Sequence, residues 1–398
     1  MRAFSLLNFT QSLYLRCTYL LVYLPSAYLS TSFLFMLTLT IVGARPQFIK
    51  AAPVSRALRA RGQERLIHTG QHYDAGMSAV FFRELHIPEP DINLAIGSGT
   101  HGEQTGRMLQ ALEAVMLTER PDWVLVYGDT NSTLAGALAA VKLGIRVAHV
   151  EAGLRSFNRA MPEEHNRVLT DHCADLLLCP TQNAVNLLAA EGITTGVHLV
   201  GDVMVDALLE HAAQARQQSA ILADLHLPPG EYYLATVHRP YNTDVPQNLR
   251  SILGAFAEIH RRRAQPVILP LHPRTRKILA GLGWQIPAGV RLIEPVGYWD
   301  MLALEQHAAC ILTDSGGVQK EAYTLAVPCI TLRPETEWIE TVQSGWNVLA
   351  GADQAAIVHA ATERLWPQGM PPAVYGDGHA AERIVDLLHR NARQQSGV

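Results

Sequence analysis

The chain has 398 residues and a mass of 43.7 kDa, enough at about 100–200 residues per domain for two or three domains. Apolar residues make up 48% and charged residues 17%, which excludes a disordered chain. A net charge of −4 and a pI near 6.5 argue against a broadly basic nucleic-acid binder, so an anionic ligand would need a local cluster of cations. Five scattered cysteines (Cys17, Cys173, Cys179, Cys310 and Cys329) form no CxxC. That usage fits a reducing compartment and speaks against a disulfide framework or a zinc site.

Residues 1–35 differ in composition from all that follows, being apolar and rich in Tyr, Ser and Leu. The run from Cys17 to Val42 exceeds the ~18 residues of a membrane span, although Pro25 and many hydroxyls interrupt it. A signal anchor, a cleaved secretory signal and an upstream stretch outside the functional protein are the three readings. The third is the expectation, with Met36 as the functional start.

From Leu37 onward, short apolar runs alternate with helical patterns, as stacked βαβ units with a parallel sheet do. LTLTIVGA (37–44) is a strand, a helix is expected near Pro53–Arg61, and RLIHTG (65–70) is the next strand. TGRMLQALEAVML (105–117) is helical, with Leu109, Leu112 and Met116 on one face. PDWVLVYGD (121–129), IRVAHVE (145–151), DLLLCPT (175–181) and GVHLVGD (196–202) continue the strand series. After a polar helical stretch around Glu210–Ala223 and the PPG at 228–230 the pattern restarts, with strands in EYYLATVHR, QPVILPLH, VRLIEPV, CILTDSG and PCITLR. Two α/β domains of similar size follow, joined near 203–225.

In such sheets ligands sit beyond the carboxyl ends of the strands. Asp129, Glu151, His238 and Asp314 all end apolar strands, and four such residues argue for a site where one would be only a cap. GARPQFIK (43–50) is not GxGxxG, so no dinucleotide fingerprint follows the first strand. Arg45 and Lys50 there are suited to phosphate oxygens, or are an exposed basic pair on a loop. TDSGGVQKEA (313–322) places Ser315, Gly316 and Gly317 at a helix start, where close backbone approach and free N–H groups suit an anion. An ordinary capped helix would read the same. Glu321 lies one turn on, placed to accept from ribose hydroxyls, and LHPRT puts His272 and Arg274 at a strand end. If the strands bearing Asp129 and Glu151 are neighbours, about 4.8 Å apart, like charge pushes one pKa upward, which suits acid–base work. Glu163 and Glu164 open a helix, and for Glu164 a favourable helix-dipole placement is the expectation.

The blocks GARPQFIK, HTGQHYD, THGEQTG, GDTNSTLAGALA, HVEAGLRS, MPEEHNR, LHPRT, PVGY, LTDSGGVQKEA and YGDG occur in order over about residues 36–390. On these the chain resembles the non-hydrolysing UDP-N-acetylglucosamine 2-epimerases. The resemblance implies an α/β chain of two Rossmann-like α/β/α domains facing a cleft, the GT-B-like architecture. It implies an N-terminal domain over 36–203 carrying the catalytic carboxylates, a UDP-binding domain over 204–376, and a C-terminal helix in 377–398 crossing back to the first. It implies interconversion of UDP-GlcNAc and UDP-ManNAc with no metal or other cofactor, by anti-elimination of UDP and its re-addition to a bound 2-acetamidoglucal. By motif, Asp129, Glu151 and Glu163 take the catalytic carboxylate positions and His238 the cleft histidine beside the diphosphate. Arg45, Lys50, His272, Ser315, Gly316, Gly317 and Glu321 take substrate-binding positions, and Gln71 and His72 match part of an allosteric site. A cytoplasmic homodimer that needs no membrane and binds a UDP-sugar, not nucleic acid, is the implied setting. Two departures bear on the sugar. Trp338 stands where many members have an Arg, and HRPYN (238–242) places Pro240 and Tyr241 beside the histidine. The TEW form, with GARPQF and RSFN, resembles the branch acting on UDP-2,3-diacetamido-2,3-dideoxyglucuronic acid, the alternative substrate. A GT-B glycosyltransferase and an inactive UDP-sugar-binding protein are the remaining alternatives, and three acid–base positions argue against the first.

Overall fold

The computed structural model describes residues 36–71, 89–271 and 273–393; the expectation for residues 1–35 lies outside that set. Leu37 to Val398 cluster as one unit by their contacts. The first half runs β1 (Leu37–Val42), α1 (Arg45–Arg59), β2 (Gln63–His68), β3 (Ile92–Asn93), α2 (His101–Glu119), β4 (Trp123–Tyr127), α3 (Asn131–Lys142), β5 (Arg146–Val150), α4 (Pro162–Cys173), β6 (Leu176–Cys179), α5 (Gln182–Ala190) and β7 (Val197–Leu199). Its seven strands are all parallel, in the order β3-β2-β1-β4-β5-β6-β7.

The second half runs α6 (Val203–Gln218), α7 (Ile221–Asp224), β8 (Tyr233–Thr236), α8 (Pro240–Thr243), α9 (Pro246–Arg263), β9 (Val267–Pro270), α10 (Pro273–Leu282), β10 (Val290–Ile293), α11 (Tyr298–His307), β11 (Cys310–Thr313), α12 (Gly316–Thr324), β12 (Cys329–Thr331), α13 (Ile339–Gln343), β13 (Asn347–Leu349), α14 (Gln354–Thr362) and α15 (Ala380–Arg393). Its six parallel strands lie in the order β10-β9-β8-β11-β12-β13. Both sheets are therefore wound in the Rossmann sense, and each has one reversal of strand order, at β1/β4 and at β8/β11.

Helices cover both faces of a parallel sheet, so its central strands are apolar on both sides. WVLVY in β4 and LLLC in β6 are buried along their whole length. In the second sheet the pleat sorts neighbours into two cores. Tyr233, Ala235 and Val237 join Val267 and Leu269 under α9 and α14, while Leu234, Ile268 and Ile311 join Leu304 and Ala322 of α11 and α12.

Several elements differ from expectation. The helix after β1 starts at Arg45, not near Pro53, because Pro46 opens it and the Gln47 side chain accepts from the N–H groups of Gly43 and Ala44, at 2.8 and 3.0 Å. Pro53 lies inside it. The helix expected around Glu210 starts at Val203, since Asp202 caps it by accepting from Met204 N at 2.9 Å. On α2 the buried face is Gln104, Met108, Leu112 and Met116, spaced four apart, and Leu109 is only half-buried. The edge strands β3 and β13, of two and three residues, carry too few residues for a visible period.

Candidate active site

Ligand crevices of open parallel sheets form where the strand order reverses. At the first reversal the chain leaves β1 through Gly43 and β4 through Gly128 and Asp129. A Cβ on Gly43 would lie 2.0 Å from Ser132 Oγ and 2.3 Å from Thr69 Oγ1, so only glycine allows this approach. Gln47 fastens the two loops by donating to Tyr127 O at 2.8 Å and Thr133 Oγ1 at 3.0 Å. Gln71 accepts from the Ser132 backbone and hydroxyl at 3.2 and 2.7 Å, while His72 lies outside the described residues.

Tyr127 and Val150 are in register on adjacent parallel strands, so Asp129 and Glu151 leave neighbouring strand ends, as expected. Each carboxylate, however, is met by a cation: Asp129 by Arg167 and Glu151 by Lys50. The expected like-charge pair is thus replaced by two ion pairs. Burial works against the Lys50 ammonium, but Glu151, Asp202 and Asp129 outweigh it and hold its pKa above the usual lysine range. Arg167 was legible only as part of MPEEHNR, four residues after Glu163 and hence on the same helix face.

Glu151 has φ of 70°, a left-handed conformation that a non-glycine residue holds only where its surroundings demand it. Its N–H donates to Leu178 O at 3.1 Å. The preceding His149 is fully buried, with Nδ1 2.7 Å from Asp171 Oδ1 and Nε2 2.7 Å from Gly128 O. Through its two nitrogens the ring ties β5 to Asp171 and to the Asp129 loop. Asp171 also accepts from Arg155 at 2.7 Å and Gly153 N at 3.1 Å. Burial would raise its carboxyl, but His149 and Arg155 prevail and hold it below the usual range.

Glu163 is half-buried in the first turn of α4. Glu164 is not merely a dipole partner. It is buried and clamps the loop before the helix, accepting from Ser156 N (2.9 Å), Ser156 Oγ (2.8 Å) and Phe157 N (2.9 Å), with Arg167 at 3.1 Å. Burial pushes its carboxyl up, and these donors together bring it below the ordinary value.

At the second reversal His238 follows β8 and Ser315 follows β11. Asp314, fully buried, accepts from the backbone N–H of His238 (3.1 Å) and Arg239 (3.0 Å) and from Asn242 Nδ2 (3.0 Å), and lies 3.2 Å from His238 Nδ1. One carboxylate thereby sets both the backbone turn and the ring of His238. Ser315 stands at the N-cap of α12 without capping it through its side chain, which leaves the first-turn N–H groups to an anion. Gly316 is buried where a Cβ would meet Glu337 Oε1 at 2.3 Å and Trp338 Nε1 at 3.3 Å; Gly317 is exposed. Glu321 follows on α12, and burial lifts its carboxyl to about 7 against the pull of Lys320. Arg45 opens α1, and His272 lies outside the described residues.

The two crevices thus divide by chemistry: paired carboxylates at the first, an anion-ready helix start with a histidine at the second. Among the described residues no group of three or more His, Cys, Asp and Glu is placed to hold a metal ion, and no helix is long and apolar enough to cross a membrane.

A family model described as UDP-N-acetylglucosamine 2-epimerase matches residues 56–389. A Methanococcus maripaludis protein named as a UDP-N-acetylglucosamine 2-epimerase homolog is 52% identical over 358 residues, covering 89% of this chain and 99% of its own. The UDP-2,3-diacetamido-2,3-dideoxy-D-glucuronate 2-epimerase of Pseudomonas aeruginosa is 50% identical over 359 residues, with the same shares covered. Among solved structures, UDP-GlcNAc 2-epimerase from Methanocaldococcus jannaschii superposes with a TM-score of 0.81 at 45% identity, covering 89% of this chain and 100% of that one. Its complex with UDP-GlcNAc and UDP superposes at 0.75 and 46%, with the same coverage.

Proposed function

Since the chain belongs to the UDP-N-acetylglucosamine 2-epimerase family, we propose that it inverts C2 of a UDP-2-acetamido sugar, interconverting UDP-GlcNAc and UDP-ManNAc. The observation that carries this is the division of chemistry between the two sheet reversals. In this reading the half 36–203 acts on the sugar and the half 204–376 holds the UDP.

The diphosphate takes the open start of α12 at Ser315, Gly316 and Gly317, with His238, Arg45 and His272 completing the nucleotide end. Glu321 accepts from the ribose hydroxyls. A carboxylate from Asp129, Glu151 or Glu163 removes the C2 proton while the C1–O bond breaks, and UDP leaves with the electron pair of that bond, as the trianion that the helix start stabilises. The electron pair of the C–H bond becomes the C1–C2 double bond of 2-acetamidoglucal. UDP then re-adds at C1 as a second acid group delivers a proton to the other face of C2. Lys50, paired with Glu151, belongs with the sugar end. Gln71 and His72 are assigned to an activating site beside it. The enzyme is inferred to be a cytoplasmic homodimer. The unpaired state of the four described cysteines supports a reducing compartment, and light scattering tests the assembly.

The second reading, UDP-2,3-diacetamido-2,3-dideoxyglucuronic acid, is favoured by Trp338 at the nucleotide-sugar end and by the half-identical P. aeruginosa relative. In D₂O the true substrate gains deuterium at C2 as it epimerises, read by NMR. Exchange with the diacetamido sugar alone makes that sugar the substrate. Epimerisation of either sugar with no deuterium at C2 overturns the elimination mechanism.

A further inference from the structure

Gly316 opens α12 with φ outside the left-handed region, so no backbone turn requires a glycine there. What requires it is a carboxylate. A Cβ at 316 would run into Oε1 of Glu337 and lie 3.3 Å from its Cδ. The other oxygen of the same group, Oε2, is 3.0 Å from Nη1 of Arg333. One carboxylate therefore bridges the first residue of the helix and a guanidinium four residues earlier in its own segment. A negative group is favoured beside a helix start, and in this structure Glu337 has that place.

The neighbours of Glu337 are anchored. Thr336 donates its hydroxyl to Gln319 Oε1 of α12 at 2.6 Å, and Gln319, fully buried, also accepts from Asn347 Nδ2 at 3.3 Å. Trp338 donates its backbone N–H to Thr336 Oγ1 at 3.1 Å, and its carbonyl accepts from Thr341 Oγ1 at 2.7 Å. The Lys320 ammonium lies 4.2 Å from the centroid of the indole, and Tyr375 meets it edge-on. Before the segment, Leu332 N donates to Thr313 O at 2.8 Å. The backbone is thus tied to α12 and to the sheet, and the remaining freedom lies in the Glu337 side chain, which is 46% exposed. Turning it into water gives up an exposed ion pair and a helix-dipole contact, both weak.

A second observation falls in the same corner. The Trp338 indole Nε1 is buried with no hydrogen-bond partner among the described residues, and it lies 3.3 Å from the Cβ position of Gly316. An unpaired buried donor beside a helix start is suited to an acceptor oxygen that arrives with a ligand.

We propose that Arg333 is a binding residue for the diphosphate, held on Glu337 until the ligand takes that carboxylate's place. A phosphate brought to the start of α12 has the same sign of charge as Glu337, and the two repel at contact distance. Glu337 swings out, Arg333 passes from the carboxylate to a phosphate oxygen, and Trp338 Nε1 gains its acceptor there. The planar fork of a guanidinium fits carboxylate and phosphate alike, so the exchange needs no new geometry from Arg333. Glu337 is then a resident competitor, which lowers the apparent affinity for an anion by the fraction of molecules in which it holds the corner. The proposal rests on the reading of the α12 start as the diphosphate end of a UDP-sugar site. It adds a cation from outside the glycine block and a carboxylate that opposes binding.

The sign of one substitution separates a competitor from a carboxylate that holds the ligand. Glu337→Gln keeps the shape and removes the charge, so by calorimetry it should tighten UDP and inorganic pyrophosphate by roughly three- to tenfold. A ligand-holding carboxylate would weaken both on the same change, and a damaged fold cannot produce a gain. Arg333→Met should weaken UDP by about threefold in the wild-type background and by roughly tenfold in Glu337→Gln, because only in the wild type does Arg333 give up an ion pair to serve the ligand. UDP and pyrophosphate affinities that fall or stay unchanged in Glu337→Gln overturn the displacement, and so does an Arg333→Met loss that is equal in the two backgrounds. Pyrophosphate that tightens while UDP binds neither protein leaves the displacement standing and overturns the UDP reading. Binding of neither ligand by either protein overturns both.

Discussion

Glu151 concentrates the chemistry of the first crevice in one residue. Its left-handed backbone is held by its own N–H on Leu178 O, by the doubly bonded ring of His149 before it, and by Asp171 on the Gly153 N–H after it. Lys50 then fixes the carboxylate itself. A group so constrained can be changed without loosening its loop if shape is kept. Glu151→Gln, Asp129→Asn and Glu163→Gln are each expected to lower kcat by at least about 10²-fold, the low end for losing a general acid or base. Substrate binding, measured by calorimetry, should change far less. Near-wild-type turnover in all three removes the carboxylates from the mechanism. These positions were legible because they stand in contiguous blocks at strand ends. The pairings that support them were not. Gln47, Arg167 and Asp171 act across 80, 38 and 22 residues, and a single sequence carries no signal for such pairings.

The helix pair α11 and α12 packs on one face of the second sheet, and each helix brings a carboxyl to that face. Glu305 of α11 is fully buried, and neither of its oxygens has a hydrogen-bond partner. Burial and then Glu321 push its pKa well above the ordinary glutamate value, and Glu321 itself lies near 7. Tyr232, Tyr298 and Cys329 adjoin the pair without neutralising it. Both carboxyls are raised above their unfolded values. The stability they contribute is thus complete below the unfolded pKa of about 4.3 and is lost as pH rises through the folded values. Glu305→Met removes the burden: relief of the unsatisfied buried oxygens, about 1–3 kcal/mol, is present at either pH, and the gain over wild type should grow further from pH 5 to pH 8. Urea denaturation at the two pH values measures it, and a gain that shrinks as pH rises contradicts the assignment. At this scale the sequence was readable where a run was long and apolar, as in WVLVY. It misled where a helix start was set by a local cap and not by the apolar period, as at Gln47 and Asp202, and β3 and β13 were too short to see.

At the scale of the molecule the two sheets repeat one winding order, which places a reversal crevice in each half and divides the proposed reaction between them. The halves are joined twice: through Gly201 and Asp202 into α6, and through α15. The second link is a strap. Asp206 of α6 accepts from Ala380 N at 3.1 Å and Ala381 N at 2.7 Å at its start. Farther along, Arg61 meets Asp386 at 2.6 Å and Arg146 donates to Asn391 O at 2.8 Å, both from first-half segments. Its buried face is Ile384, Val385 and Leu388, and it packs on α1 and α6. The exposed ion pairs add little, so this apolar face does the holding. Leu388→Asp puts an unpaired charge into it and should lift the strap from α1 while leaving β8, β11 and the start of α12 intact. UDP binding, proposed for the second half, is then expected to stay within about threefold of wild type, whereas turnover, which in the proposed reaction needs Glu151 and its neighbours opposite the bound UDP, falls by more than roughly tenfold. Calorimetry with UDP and NMR of C2 exchange read the two separately. Equal losses in both would mean that the strap stabilises the whole chain and does not align its halves.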